Sequence, residues 1–429
     1  MKPRTAFVWI LFSSLMGGIF YSDWYRMADG AFAATPQLHN GYIELGKEQS
    51  EAKLLAIMDQ VPGLIPSVQE ELKPYEVIIE YLLSDTLMLV FYVTKQTWNL
   101  YEKRLNRHFW EILNDYRMHL KLADIENLSQ LSQSMYNFLI SPLKEILKGK
   151  SRLIFVPGKD LSGIPFESFM VKRSASDKPD HAKQHYLIQD FEIVYHYSIR
   201  QWAFQNALPG FDHISQESGP DIEFAGFSPG FAGNHFVNAL PDSRKELSLI
   251  ANMFQDKGLS SRLILDEDSR KEVFKEIACN SRILHLATHS YTDLNNPEAD
   301  GFLFWDYDPQ YTGKVFSKGV LTLKDIHEMK LNADLIVLNT CASGALQKKE
   351  QQDLHSIPKG FIQAGARNIL ATLWNITDRQ AEIFTVAFYQ KWLSGRSYSQ
   401  ALREVKMDMI NQRGTSLPTV WAPYVLIGR

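Results

Sequence analysis

Two apolar segments in the second half of the chain each end beside a reactive side chain, and they constrain the fold more than any other feature. Residues 281–290 read Ser-Arg-Ile-Leu-His-Leu-Ala-Thr-His-Ser, and residues 333–344 contain Leu-Ile-Val-Leu-Asn-Thr-Cys-Ala-Ser-Gly. Their composition predicts two buried strands, one ending at His289 and the other at Cys341. In an open parallel sheet the carboxyl ends of the strands form the reaction crevice. We therefore expect a nucleophilic thiol and its base at one edge of a sheet.

The segments around these strands alternate between helix and strand patterns, which is typical of βαβ units and a parallel sheet. Right-handed crossovers between such strands bring their carboxyl ends to the same edge. A long excursion over residues 290–332 separates the histidine strand from the cysteine strand. The further strands are predicted at 222–226, 261–265 and 368–373, and the helices at 243–256, 269–278, 354–365, 378–394 and 398–412.

The first part of the chain has a different pattern. Residues 40–75 are amphipathic and predict helix interrupted by Pro62 and Pro66. Residues 76–83 and 86–94 are rich in β-branched and apolar side chains and predict a β-hairpin. Later residues are predicted as helices at 97–120 and 125–148 and as strands at 152–157 and 191–195.

Composition excludes several classes of protein. The chain has 429 residues, 45% of them hydrophobic, which is enough for a large core and two or three domains. Its formal net charge of −4 provides no basic footprint for nucleic acid. With only Cys279 and Cys341, neither a disulfide scaffold nor a multi-cysteine zinc site is expected. A reduced, cytoplasmic state is favoured, with Cys279 as a small buried hydrophobic residue.

The N-terminal segment, residues 1–39, allows three interpretations. Lys2 and Arg4 precede an uncharged stretch over residues 5–22, which resembles the start of a signal peptide, with Ala31-Phe-Ala33 as a cleavage motif. The same stretch has the minimum length for a membrane anchor. The third interpretation is an apolar helix face that packs on another element. Export and membrane attachment therefore remain open beside a cytoplasmic location.

Other motifs do not support rival chemistry. Residues 226–230 match the Gly-x-Ser-x-Gly nucleophile elbow, but Pro229 lacks the backbone N–H that this elbow uses for the oxyanion. His285 and His289 lack the glutamate and the helix of a His-Glu-x-x-His zinc site, so His285 is expected either in the core or directly behind the site residues. Trp374 and Asp378 are expected to serve packing and helix capping, with lining of the substrate groove as the alternative.

Several blocks in order resemble the CHAT domain, a caspase-like family of cysteine peptidases often found beside tetratricopeptide repeats. Cys341 follows His289 by about 50 residues, as in caspases. By this resemblance residues 129–429 form the CHAT-like domain, with its catalytic half at about 240–429. Residues 40–128 then form a helical remnant and a lead-in hairpin. The matching blocks lie at 156–167, 240–246, 284–289, 337–341, 360–367, 373–378 and 421–428.

The resemblance implies a fold, a site and a reaction. The fold is a caspase/hemoglobinase-like, mostly parallel sheet with helices on both faces. Cys341 would attack a peptide carbonyl, His289 would protonate the leaving amine, and the amides of Ser290 and Cys341 would bind the oxyanion. Asn339 would line the pocket for the substrate residue. The resemblance implies no cofactor or metal, a protein substrate, and a regulatory protein partner bound through the N-terminal helical region.

Two departures from the family pattern leave two functions open. Ser290 replaces the glycine that follows the catalytic histidine in caspases. Residues 348–353 read Lys-Lys-Glu-Gln-Gln-Asp, where the family often has a Gly-Glu-Gly-like turn. The first function is an endopeptidase that a partner or upstream signal activates. The second is a catalytically silent interaction module with the same fold.

Overall fold

The computed structural model describes residues 63–122, 125–172, 180–207, 221–291, 296–309, 318–342 and 356–429. The predictions for the N-terminal segment, for most of the helix at 40–75 and for the loop after Cys341 lie outside these ranges. Within them, no helix combines the length and the apolar character that crossing a membrane requires.

One 13-stranded sheet organises the fold, and β5 pairs with β6 in a separate small sheet. The strands are β1 Glu76–Leu83, β2 Leu87–Thr94, β3 Trp98–Arg104, β4 Arg152–Val156, β5 Met170–Lys172, β6 His185–Tyr186, β7 Glu192–Tyr195, β8 Ile222–Ser228, β9 Ser261–Leu265, β10 Ser281–Tyr291, β11 Gly301–Asp308, β12 Lys318–Thr322, β13 Leu335–Ala342, β14 Ile369–Thr372 and β15 Tyr424–Ile427.

The large sheet consists of two parallel blocks that run in opposite directions. Strands β9, β8, β10, β13 and β14 form the first block, and β15, β7, β4 and β1 form the second. The antiparallel pair β14–β15 joins the blocks, and antiparallel strands extend the sheet at β2–β3 and at β11–β12. The mixed α/β class with a mostly parallel sheet is confirmed.

Helices cover both faces of this sheet, as predicted. They are α1 Ile65–Glu71, α2 Arg107–Leu122, α3 Ile125–Leu139, α4 Lys144–Leu147, α5 Gly158–Leu161, α6 Leu187–Asp190, α7 Ile199–Ala207, α8 Pro241–Asp256, α9 Lys271–Ala278, α10 Leu323–Glu328, α11 Ser356–Gln363, α12 Asp378–Leu393, α13 Tyr398–Ile410 and α14 Pro418–Trp421. Alternate strand residues enter two cores, with Ile336 and Leu338 on one face and Leu335 and Val337 on the other. Helices α8, α12 and α13 pack on the second face.

The hairpin formed by β1 and β2 is confirmed, but the helix predicted at 97–120 begins too early. Residues 98–104 instead form β3, which pairs antiparallel with β2. Helix α2 starts at Arg107, where the Asn106 side chain accepts a hydrogen bond from the Phe109 amide at 3.2 Å. Strands β1, β2 and β3 precede residue 129 in the sequence, but they belong to the same large sheet as strands that follow it. The predicted domain boundary at 129 therefore divides one continuous sheet.

Two further corrections concern strands. The excursion over 290–332 contains β11 and β12, which pair antiparallel beside the end of β10. The C-terminal part of the chain contains β15, a short strand in the middle of the sheet that the sequence pattern did not reveal.

One helix is also shorter than predicted. The helix predicted at 125–148 ends at Leu139, ahead of a short turn with Pro142 and the separate helix α4.

Candidate active site

The backbone of Cys341 lies directly beside that of His289. Strands β10 and β13 are parallel, and their register pairs His289 with Cys341 and Ser290 with Ala342. Neighbouring strands lie about 4.8 Å apart. Because both residues lie near the carboxyl ends of their strands, the two predicted catalytic positions share one edge of the sheet.

A backbone carbonyl fixes the His289 imidazole. Its Nε2 lies 2.8 Å from the Asn238 carbonyl oxygen, and because a carbonyl only accepts, Nε2 carries the proton and donates. The ring is 5% exposed and stacks on Phe231, with 5.4 Å between centroids and 30° between planes. Nδ1 is buried without a hydrogen-bond partner in the part of the chain that the structure describes. In the neutral ring Nδ1 is therefore the nitrogen that can accept a proton.

The Asn238 carbonyl and the Phe231 ring both belong to one loop, residues 229–240, which lies between β8 and α8. Gly230 and Phe231 both have left-handed backbones, with φ of 59° and 55°. This conformation is unfavourable for phenylalanine, so the contacts around the buried Phe231 must hold its backbone in place. The Leu240 amide closes the loop by donating to the Gly230 carbonyl at 2.9 Å. The loop therefore presents a carbonyl and an aromatic face to one imidazole.

A fully buried carboxylate lies deeper on the same side of the sheet. Glu246 of α8 is 0% exposed, and both of its oxygens lie 2.9 Å from Nδ2 of Asn339. The Thr385 hydroxyl donates to it at 2.5 Å, and Nε2 of His285 lies 3.1 Å from Oε1. Buried charges require such partners. Glu246 thus ties α8 to β13 through Asn339 and to α12 through Thr385, and it lies beside His285 of β10.

Asn339, the predicted pocket residue, has both ends of its amide engaged. Nδ2 donates to Glu246, and Oδ1 accepts from the Tyr424 hydroxyl at 3.1 Å. The side chain is 6% exposed. Two polar partners on opposite sides give it one orientation, so Asn339 is a rigid polar group two residues before Cys341.

Ser290, the predicted oxyanion donor, lies between two strands. It pairs with Phe302 of β11 on one side and with Ala342 of β13 on the other.

His285 is fully buried and stacks on Tyr389 with 5.8 Å between ring centroids, which agrees with a core position.

The prediction for Cys279 was wrong. Cys279 is exposed at the end of α9, where its Sγ contacts the Glu276 carbonyl oxygen at 3.3 Å. The helix ends there, and Ile277 and Ala278 supply its buried contacts instead. Ser228 of the rejected nucleophile elbow is buried and hydrogen-bonded to Ser243.

Trp374 and Asp378 have the predicted kinds of role. The Trp374 indole packs between two cores and donates to the Thr419 carbonyl at 3.1 Å. Asp378 is a cap, but for another helix than its own: Thr377 caps α12, whereas Asp378 accepts the Asp242 amide at the start of α8. Because this contact spans 136 positions, local sequence carries no signal for it.

Comparison with known protein families identifies the family of the chain. The CHAT domain family matches residues 129–429. The chain therefore belongs to the CHAT domain family, as its sequence predicted.

Relatives are similar over different lengths. Tetratricopeptide repeat protein 28 from Homo sapiens is 29% identical over 339 residues, 69% of this chain and 13% of that protein. Separin from Emericella nidulans is 33% identical over 52 residues, 12% of this chain and 2% of that protein. This chain thus spans a small part of both relatives.

Two solved structures are similar at lower identity. A chain of the Saccharomyces cerevisiae separase–securin complex has a TM-score of 0.49 and 10% identity, over 87% of this chain and 31% of that chain. A structure described as a protease has a TM-score of 0.43 and 9% identity, over 76% of each chain.

Proposed function

We propose that this chain is a caspase-like cysteine endopeptidase in which Cys341 is the nucleophile and His289 its base. The observation that carries the proposal is the register between β10 and β13, which pairs these two residues at the carboxyl edge of the sheet. A thiol and an imidazole are the two groups that such a reaction requires.

The proposed reaction uses the tautomer that the Asn238 carbonyl imposes. With the proton on Nε2, Nδ1 of His289 takes the thiol proton of Cys341. The thiolate attacks the peptide carbonyl carbon, a C–S bond forms, and the protonated imidazole gives its proton to the leaving amine as the C–N bond breaks. Water then hydrolyses the thioester with His289 as the base.

The other site residues have proposed roles around this step. The backbone amides of Ser290 and Cys341 are the proposed donors to the oxyanion. Asn339 is the proposed floor of the substrate pocket. Because its amide is neutral and already bound to Glu246 and Tyr424, it supplies no charge for an Arg or Lys side chain, and specificity must come from other groups.

The proposed substrate is a protein, and the proposed regulator is a protein that binds the N-terminal region. Separase occurs in a complex with securin in one similar structure, and a human relative is named for tetratricopeptide repeats. Both names concern those proteins, and for this chain they only support a search for protein partners.

A peptide library varied at the residue before the cleaved bond tests the proposal. The parent protein should cleave a subset of peptides, and Cys341→Ala should cleave none. Cys279→Ala is the matched control because this exposed thiol lies on another element and should leave cleavage unchanged. Equal cleavage by the parent and Cys341→Ala would reject the peptidase, and absence of cleavage with every candidate activator would favour a silent interaction module.

A further inference from the structure

The start of helix α8 has no cap from its own sequence. Leu240 is at the N-cap position and makes no side-chain hydrogen bond, and Pro241 follows it. The first amides of a helix have no partners within the helix and need acceptors. Asp378, at the start of α12, supplies one: its Oδ2 accepts the Asp242 amide at 2.6 Å. A negative charge at this end also interacts favourably with the helix dipole.

The same helix start anchors the loop that holds His289. The Ser243 hydroxyl donates to the Leu240 carbonyl at 2.6 Å, and the Ser228 hydroxyl lies 2.7 Å from that of Ser243. Leu240 in turn closes the loop over residues 229–240 through its amide. A shift of the first turn of α8 would therefore move the carbonyl of Asn238, four residues before the amide that Asp378 holds.

We propose that Asp378 is a positioning residue for His289, acting through the first turn of α8 and the loop over residues 229–240. The assignment rests on the proposed peptidase function. Asp378 does not contact the imidazole. It fixes the helix start, the helix start fixes the loop, and the loop presents the Asn238 carbonyl and the Phe231 ring to His289.

The charge state of Asp378 agrees with this role. Burial raises the pKa of Asp378 to about 6, the Asp242 amide lowers it, and the charge of Glu246 raises it. The carboxyl therefore loses its charge as the pH falls through about 6. The charge of Asp242 also raises the pKa, and the Ser243 amide lowers it. The cations on the two helices, Lys245 of α8 and Arg379 of α12, are paired with Glu382.

Asp378→Ala and Thr377→Ala form a matched pair of variants. Each removes the cap of one helix, but Thr377 caps α12 itself, through the Gln380 amide, whereas Asp378 accepts the Asp242 amide of α8. We expect Asp378→Ala to lower kcat about 10- to 100-fold with little change in KM, because small displacements of catalytic groups cost about this much. Thr377→Ala should leave kcat within about twofold, because the Asp378 carboxylate and its hydrogen bond to the Asp242 amide remain in this variant. Equal kcat for the two variants would overturn the proposal.

Asp378→Asn guards against simple misfolding because the amide oxygen can still accept the Asp242 amide. We expect it to retain most of the activity. Its rate relative to the parent should rise as the pH falls below about 6, where the parent side chain is also neutral. The ratio cancels the titration of groups that both proteins share. A ratio independent of pH, together with full activity of Asp378→Ala, would reject the role.

A readout without catalysis separates this proposal from the proposed function. The hydrogen-bonded Nε2–H of His289 should give a protected imidazole proton signal in NMR, assigned by its loss in His289→Gln. Asp378→Ala should lose or shift this signal, and Thr377→Ala should keep it. If the signal responds as expected while no peptide is cleaved, only the peptidase function fails. If it is unchanged in Asp378→Ala, the positioning role fails.

Discussion

Replacing His289 by Gln, Cys341 by Ala, or both together is expected to lower peptide cleavage by a similar large factor. Loss of a general base costs on the order of 10²–10⁴-fold. Residues that act as one unit give strongly non-additive losses of activity. The double variant should therefore be about as active as the less active of the two single variants. The measurement is kcat/KM on one peptide selected from the library.

Controls for this experiment lie elsewhere on the same fold. Cys279→Ala removes an exposed thiol, and His327→Gln removes an exposed imidazole on α10. Both should keep kcat/KM within about twofold, as expected for surface changes. Multiplicative losses from the two single changes would show that His289 and Cys341 act separately and would contradict the dyad.

Replacing Lys406 by Met is expected to destabilise the fold by about 3–5 kcal/mol, the cost of breaking a buried ion pair. The Lys406 side chain is 0% exposed, and its Nζ lies 2.5 Å from Oε1 of Glu167, which is also buried. The Tyr195 hydroxyl donates to the other carboxylate oxygen. Burial lowers the pKa of Lys406, and Glu167 opposes this shift. Without the ammonium group, the buried negative charge of Glu167 would be left with the neutral Tyr195 hydroxyl as its donor.

Urea unfolding of two further variants makes this test specific. Lys391→Met removes a partly exposed pair with Asp408 and Glu404, and such pairs are worth about 0–1 kcal/mol. Glu167→Gln combined with Lys406→Met removes the uncompensated charge and should recover part of the lost stability. A Lys406→Met effect no greater than that of Lys391→Met would contradict the role of the buried pair.

The sequence predicted the elements that have strong hydrophobic patterns. The apolar runs ending at His289 and Cys341 are long and buried, so their strands, their parallel direction and their common edge followed from general rules of α/β folds. The β1–β2 hairpin was equally readable. Strand β3 was not, because Trp98–Arg104 mixes apolar and charged residues at the sheet edge, where one side stays exposed.

Other features depend on contacts between distant parts of the chain. The acceptor for His289 is a backbone carbonyl in a loop, and a carbonyl belongs to every residue, so nothing in the sequence marks Asn238. In the sequence Glu246 resembles any charged helix residue. In the structure it is fully buried, hydrogen-bonded to Asn339 of β13 and Thr385 of α12, and next to His285 of β10. The cysteine at the end of α9 was placed in the core because free cysteines usually lie there, but the helix ends with Cys279 facing solvent.

The pH dependence of Cys341 alkylation tests the central claim, that His289 and Cys341 form one reactive pair, most directly. In a Cys279→Ser background iodoacetamide can label only Cys341, and mass spectrometry follows the rate. We expect the rate to rise at a pH well below about 8.5, the ordinary value for a cysteine thiol, and His289→Gln to move that rise toward the ordinary value. A rise near the ordinary value that is unchanged in His289→Gln would contradict the pair.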